Sequence, residues 1–297
     1  MEDKQKGLVM DYASLDDFVV NGKQHVAKGP IAIIMIEDLV EVASTLKHHI
    51  KLGFKKVLVL GKDLPDFSPA ISENVTIIQH DFLKNGTKET IVNKISQMAP
   101  AQWIYYCFNA EYLFFPFCET RNVDEMLAFH TEEKRNSMLC YVIDLYAGDL
   151  GHAPNAVSIE DAHIDKAGYY SLGRTDPKTH ALLDRQLDFF GGLRWRYEEF
   201  VPYEKRKIDR IALFKAKEGL ALNDLDMFNE AEYNTYACPW HHNLTAAIVS
   251  FRTAKSLRRN PTSRHQISDF KWHNSTKFSW HSQQLLDLGL MEPGQWF

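Results

Sequence analysis

Through its first 108 residues the chain alternates short apolar runs with segments of helical spacing. Ile31 to Ile36 (IAIIMI) is unbroken and rich in β-branched side chains, the pattern of a strand covered on both faces. Helical spacing follows at once. Leu39, Val42, Ala43, Leu46 and Ile50 fall on one face, and Gly53 stands where a C-terminal cap belongs. Lys55 to Leu60 (KKVLVL) is the next strand and Val75 to Ile78 a third. Thr87 suits the N-cap of a helix reaching Met98, with Ile91, Ile95 and Met98 inward. Trp103 to Phe108 (WIYYCF) is the fourth strand. The alternation predicts a mainly parallel, doubly wound sheet with right-handed crossovers. Strands over 31–36, 55–60, 75–79 and 103–108 are expected in one sheet, with helices over 38–52 and 87–98 packed on it.

The period changes after Pro116. Asn122 and Glu125 have the spacing of a capping box for a helix reaching about Glu133. Met138 to Tyr146 (MLCYVIDLY) is a strand interrupted only by Asp144, and Ile208 to Phe214 is the last one expected. Residues 147 to 180, rich in Gly, Asp, His and Pro, read as a long irregular excursion of the kind that forms lids or binding segments. From Trp240 on, Leu244, Ala247, Ile248 and Phe251 stand at helix spacing. The chain therefore divides into a polar N-terminal arm (1–29), in which Leu15, Phe18 and Val19 can form a short helical face, an α/β domain (30–220), and a mostly helical C-terminal extension (221–297) packed on it.

Composition narrows this little. The 297 residues are 45% hydrophobic and 25% charged, enough for a substantial core. A net charge of −5 argues against a general nucleic-acid binder. Cys107, Cys118, Cys140 and Cys238 form no C-x-x-C pair and read as free thiols. The first residues carry no apolar signal core, and no run approaches the ~18 apolar residues of a membrane span. A cytoplasmic protein is expected, with peripheral membrane contact left open.

The densest chemistry lies in Trp103 to Phe117, which breaks at Asn109-Ala110-Glu111 and resumes as Tyr112 to Phe115. A polar step at the end of a buried strand is where α/β folds place ligand sites. Glu111 reads either as a ligand for a metal or diphosphate, or as a strand-end carboxylate bonded to a neighbouring loop. Asp144 needs a partner if buried, and is either a general base or a structural carboxylate bonded to backbone or arginine. Glu198, beside Glu199, is a second base candidate or part of a solvated face. Arg194 and Arg196 follow Gly191-Gly192, a pairing suited to phosphate, or are surface charges. His241 and His242 are adjacent; on a helix they point about 100° apart, so one at most serves a given ion. One of His48 and His49 is expected against the sheet. Arg252, Lys255, Arg258 and Arg259 form a basic helix face, solvated or in contact with anionic lipid or a polyanion.

Four patterns in order resemble the family 2-like glycosyltransferases: His48-His49 with Leu52-Gly53-Phe54, the Trp103–Pro116 stretch with Glu111-Tyr112-Leu113, Gly191-Gly192-Leu193-Arg194 followed by Lys207 to Phe214, and Trp240-His241-His242 leading to Phe251. The resemblance spans about residues 30 to 252. It implies a GT-A-like, Rossmann-like domain that moves a sugar from a nucleoside-diphosphate sugar, UDP-linked by preference, to a cell-surface glycan or glycolipid with inversion. It implies donor contacts at Glu37, Asp38, Asp66, Asn109, Glu111, Arg194 and Arg196, and a Mn²⁺ or Mg²⁺ ion near Glu111 and His241 or His242. This chain departs from the pattern at three places. Phe108 and Ala110 stand where the family has its two metal-binding aspartates. Glu37-Asp38 replaces Asn-Glu, and Gly61 to Asp66 retains only its final aspartate. Two other expectations follow: a non-catalytic member that binds a glycan or protein, or a transferase that meets the donor's charge with arginine and binds no divalent ion when free.

Overall fold

The computed structural model describes residues 11–82, 86–236 and 243–296. Its first layer is a nine-stranded sheet: eight strands plus the two-residue β1 (Asp11–Tyr12) at its edge. After α1 (Leu15–Asn21) the chain enters β2 (Ile31–Met35), α2 (Val42–Lys51), β3 (Lys56–Gly61), the single turn α3 (Pro69–Ser72), β4 (Val75–Gln79), α4 (Lys88–Met98) and β5 (Trp103–Phe108). All four expected strands lie in this sheet, and β2, β3, β4 and β5 are parallel. The N-terminal arm also joins it, with β1 parallel to β4 and Leu15 and Phe18 of α1 buried.

Helix α2 buries Val42 and Leu46 of the face its apolar spacing predicts, but adds Thr45 and His49, exposes Ala43, and begins after Leu39. Val42, Thr45, Leu46 and His49 are buried, whereas Leu39 is 60% exposed. His49 stacks on Tyr105 at 5.3 Å and donates from Nδ1 to Thr45 O (2.8 Å). Thr45 and His49 are accepted in this core because each bonds a backbone group.

After β5 come β6 (Glu111–Phe114), α5 (Val123–Glu132), β7 (Ser137–Asp144) and β8 (Tyr146–Ala147). Asn122 and Glu125 form the expected capping box on α5. The stretch after residue 147 is more regular than its composition predicts. It contains β9 (Ala162–Asp165), and β10 (Tyr170–Thr175) pairs with β11 (Leu182–Phe190) in a two-stranded ribbon. Cross-strand pairing compensates for weak local signals there. Then follow α6 (Gly192–Arg196), β12 (Asp209–Lys215), β13 (Ala246–Ser250), α7 (Arg252–Arg259), α8 (Pro261–Gln266), β14 (Ser275–Lys277) and α9 (Ser282–Asp287). Strands β14, β9 and β8 make a third small sheet.

The helix expected over Leu244 to Phe251 is a correction. Those residues include β13, fully buried and inserted between β7 and β6. A continuous apolar run fits a buried strand or a buried helix equally well by periodicity, and the free edge of β7 decided it. The C-terminal region is therefore built into the main sheet as well as packed around it. Trp240 lies outside the described residues.

The sheet order is β1-β4-β3-β2-β5-β12-β7-β13-β6, with β12 and β6 antiparallel to their neighbours. Four strand spacings separate β5 from β6, about 19 Å in a flat sheet. The link between them is Asn109-Ala110, and Phe108 to Glu111 spans at most about 11 Å. The sheet must therefore curl until β6 returns beside the end of β5. Ala110 takes the turn at φ +59, a conformation disfavoured for a residue with a Cβ. It is held from both sides, by Ala110 N–H on Thr45 Oγ1 (2.9 Å) and Phe251 N–H on Ala110 O (3.0 Å).

Half-buried His48 and the buried His49 and His130 donate to backbone carbonyls: His48 to Leu113 (2.6 Å), His49 to Thr45, and His130 to Ser137 (2.8 Å). Burial lowers His48 and His130 to about 4 and His49 to about 3. Below the ordinary value of 6.5 the unfolded chain takes up protons that the fold refuses, so stability falls as pH falls from about 6.5 toward 3. Melting curves should show a lower Tm at pH 5 than at pH 7, with a smaller drop in His49→Phe; an unchanged Tm across that range would count against neutral buried histidines.

Candidate functional site

Strand β2 lies between β3 and β5. The chain leaves β2 toward β3 and β4, then returns through α4 to β5 on the other side. That reversal makes the edge outside the carboxyl ends of β2 and β5 the switch-point crevice of the topology, where open α/β sheets place ligands; here it is filled by paired side chains, several of them buried. Glu37 and Asp38 follow β2, and Asn109 follows β5. Asn109, fully buried, ties the two ends together. Its Oδ1 accepts from Glu37 N–H (2.9 Å), and its Nδ2 donates to Asp38 Oδ1 (2.7 Å) and Val40 O (2.9 Å).

Glu111 begins β6 and is completely buried. Arg210 of β12 grips it with two bonds, Nη1 to Oε2 at 2.7 Å and Nη2 to Oε1 at 3.1 Å. Phe108 N–H (3.0 Å) and Ser250 Oγ (3.1 Å) complete its shell. Burial would raise its pKa, but the Arg210 and Arg252 charges and these bonds bring it down to about 2. One carboxylate thus joins β5, β6, β12 and β13; its partners lie on strands rather than on the neighbouring loop of the strand-end reading.

Helix α7 closes the crevice. Arg252 donates from Nε and Nη2 to the two oxygens of Glu37 (2.8 and 2.7 Å), with its guanidinium carbon 3.6 Å from the Phe108 ring centroid. Lys255 Nζ bonds both oxygens of Asp38 (3.1 and 3.0 Å), and Arg259 Nη2 lies 2.8 Å from Asp38. Burial works against the charge on Asp38, yet Lys255 and the bonds from Val40 and Asn109 hold its pKa below the usual value. Arg258 turns away and donates to the carbonyls of Pro154, Arg264 and Ile267. Three of the four residues read as a basic surface face are therefore turned onto the carboxylates of the crevice.

A second charged group adjoins the first. Ser250 pairs with Glu111 on one side and Asp144 on the other, so the two carboxylate strands stand two spacings apart, about 10 Å. Asp144 is buried; its Oδ2 accepts from Arg194 N–H (3.3 Å), and its Oδ1 lies 3.6 Å from Arg194 Nε. Burial raises its pKa against the pull of Arg194. A Cβ on Gly192, at φ +64, would stand 2.9 Å from Asp144 Oδ2, so the glycine lets this turn approach the carboxylate.

Arg194 and Arg196, expected either to meet a phosphate or to be surface charges, are instead committed to buried carboxylates. Arg194 donates to Thr253 Oγ1 (3.1 Å) and Lys207 O (2.5 Å) as well as contacting Asp144. Arg196 sits 2.9 Å from Asp165, among the rings of Tyr146, Tyr197 and Trp272. The flexibility inferred from Gly191-Gly192 serves close packing here. Asp66 is exposed in the loop after β3. Glu198 is exposed and paired with Arg206 (3.0 Å), with no recorded bond to the crevice. His241 and His242 lie outside the described residues.

Sequence reasoning missed Arg210 and Ser250. Arg210 carried a usable signal: it interrupts an apolar strand as Asp144 does, and a buried charge requires an opposite partner. The carboxylates do not fit a divalent ion. Both Glu111 oxygens face Arg210, and hard cations need several free oxygen ligands. Among the described residues no group of three or more His, Cys, Asp or Glu side chains is placed to hold a metal. No described helix is long and apolar enough to cross a membrane. Compared with known proteins, the chain matches no family model and no curated sequence.

Glu111→Gln would leave Arg210 buried without a counter-charge, an expected loss of about 3–5 kcal/mol in urea unfolding. The double variant with Arg210→Met should lose less, and equal losses would deny the pair its role. Calorimetry with Mn²⁺ on the free protein should show no stoichiometric site; micromolar binding abolished by Glu111→Ala would reverse the assignment.

Proposed function

We propose that this chain is a GT-A-like glycosyltransferase that holds a nucleoside-diphosphate sugar, UDP-linked by preference, in the crevice between β2 and β5 without a divalent ion. The sugar passes to a hydroxyl of a glycan or glycolipid with inversion. The observation that carries this reading is convergence. Glu37, Asp38, Asn109 and Glu111 meet at one switch-point crevice, and Arg210, Arg252, Lys255 and Arg259 meet them there. Arg252 and Arg259, the exposed cations of this set, supply charge that stabilises a departing diphosphate, the task a metal would otherwise perform.

Asp144 is the proposed base. Its position at the carboxyl end of β7 and a pKa raised by burial suit a carboxylate that takes a proton from an acceptor hydroxyl. The acceptor has a polar depression within reach of the same framework. A cavity of about 630 Å³ is lined by Asp149, His152, Asn155, Ser158 and Asp161 with Ala153, Pro154 and Val157. Its Pro154 carbonyl is bonded to Arg258 of α7 (3.0 Å). Carboxylate, amide and hydroxyl groups match the donors and acceptors of a sugar.

One observation favours a non-catalytic glycan- or protein-binding member: every crevice carboxylate already has its own cation, and Asp144 is only 2% exposed. The two readings part on turnover. A panel of UDP-sugars should show release of UDP that a chelator leaves unchanged. Asp144→Asn should lower that rate about 100-fold with UDP binding retained. A thermal shift with UDP and no turnover of any donor would favour the binding reading; neither shift nor turnover would sink both nucleotide readings.

A further inference from the structure

We infer that Glu37 is an internal stand-in for a diphosphate, and that Arg252 is the receptor from which the ligand displaces it. The inference deepens the proposed function at the same crevice, but it rests on ion-pair geometry rather than on sugar transfer. A guanidinium that takes a carboxylate through two parallel bonds presents the fork that also takes two phosphate oxygens.

The crevice ion pairs differ in how readily they exchange. Glu111 and Arg210 are 0% and 6% exposed at their side chains, and Glu111 has two further donors. Breaking that pair would strand buried charge. Asp38 is held by Lys255, Arg259, Asn109 and Val40 N–H together. Glu37 is different. Its side chain is 36% exposed, and both bonds found for its carboxylate go to Arg252, itself 27% exposed. Such a half-solvated pair is weak and open to competition by an anion of higher charge.

Arg252 is also built to remain when Glu37 leaves. Phe108 lies beneath its guanidinium plane, and Nη1 stays 3.9 Å from buried Glu111. The ring face and the fixed carboxylate hold the cation at the mouth of the crevice. Arg259, 63% exposed and 2.8 Å from Asp38, stands on the same helix as a second cation for a diphosphate's remaining oxygens. Phe108, at the end of β5, thereby seats the Arg252 cation.

The test is calorimetry with inorganic pyrophosphate and with UDP on the full chain, at low salt and without divalent ions. Wild type should bind both. Glu37→Gln should bind both about two- to fivefold more tightly, the gain from removing a half-exposed competitor. Arg252→Gln should lose at least about tenfold in affinity, with Arg252→Lys between it and wild type because an ammonium keeps the charge but not the fork. Circular dichroism and melting curves on each variant separate loss of binding from loss of fold. No binding by wild type or Glu37→Gln, an unchanged or weaker affinity in Glu37→Gln, or wild-type affinity in a folded Arg252→Gln would each overturn the inference. Pyrophosphate binding that follows this order without turnover of any UDP-sugar would leave the inference standing and remove the transferase reading. Turnover with no effect of Glu37→Gln would do the reverse.

Discussion

The two-residue link between β5 and β6 governs this molecule. Asn109-Ala110 is too short to reach the far edge of a flat sheet, so the strands from β12 to β6 must roll back over the end of β5. The Glu111–Arg210 pair holds that closure, because its carboxylate is bonded to β5, β12 and β13 at once. A buried ion pair is weak evidence of net stability, since desolvation opposes the attraction. Its stronger consequence is positional. Only one register of β6 puts Glu111 within reach of all its donors, and a slip by one residue would turn its carboxylate to the opposite face.

Closing the sheet in this way gathers charge at one edge. Glu37 and Asp38 after β2, Glu111 at the start of β6 and Asp144 at the end of β7 come from three separate strand ends, and each meets a cation from β12, α6 or α7. The pairs grade from full burial at Glu111 to partial exposure at Glu37. Exposure sets what each can do. Fully desolvated pairs fix geometry, while the pair at the rim contributes roughly 0–1 kcal/mol and can change partners. Rigid ends with one exchangeable contact are what a ligand site built on a preorganised scaffold requires.

The polar residues of the interior follow the same logic. His49 sits under α2 stacked on Tyr105, Asn109 bonds both strand ends, and Arg196 lies among three aromatic rings. Each finds fixed protein partners. Their cost appears with pH, because the histidines must stay neutral and Glu111 must stay charged.

Local pattern was sufficient for the parallel half of the sheet. The short apolar runs at 31–35, 56–61, 75–79 and 103–108, rich in β-branched or aromatic side chains and set between helical segments, carried the strand signal, and the capping box at Asn122 and Glu125 depends on atoms within one turn. The polar break at Asn109-Ala110-Glu111 likewise marked the edge where the charged groups meet. Long-range contact decided the rest. Residues 246–250 read as a helix became a central strand because β7 and β6 offered edges to pair with. Arg194 and Arg196, read as phosphate ligands or surface charges, became partners of buried Asp144 and Asp165, and Arg252 took the more exposed position instead. A charged residue in a sequence declares that it needs a partner. Which partner it finds, and how much water remains beside the pair, is set by strands that are distant in the chain and adjacent only after the sheet has curled.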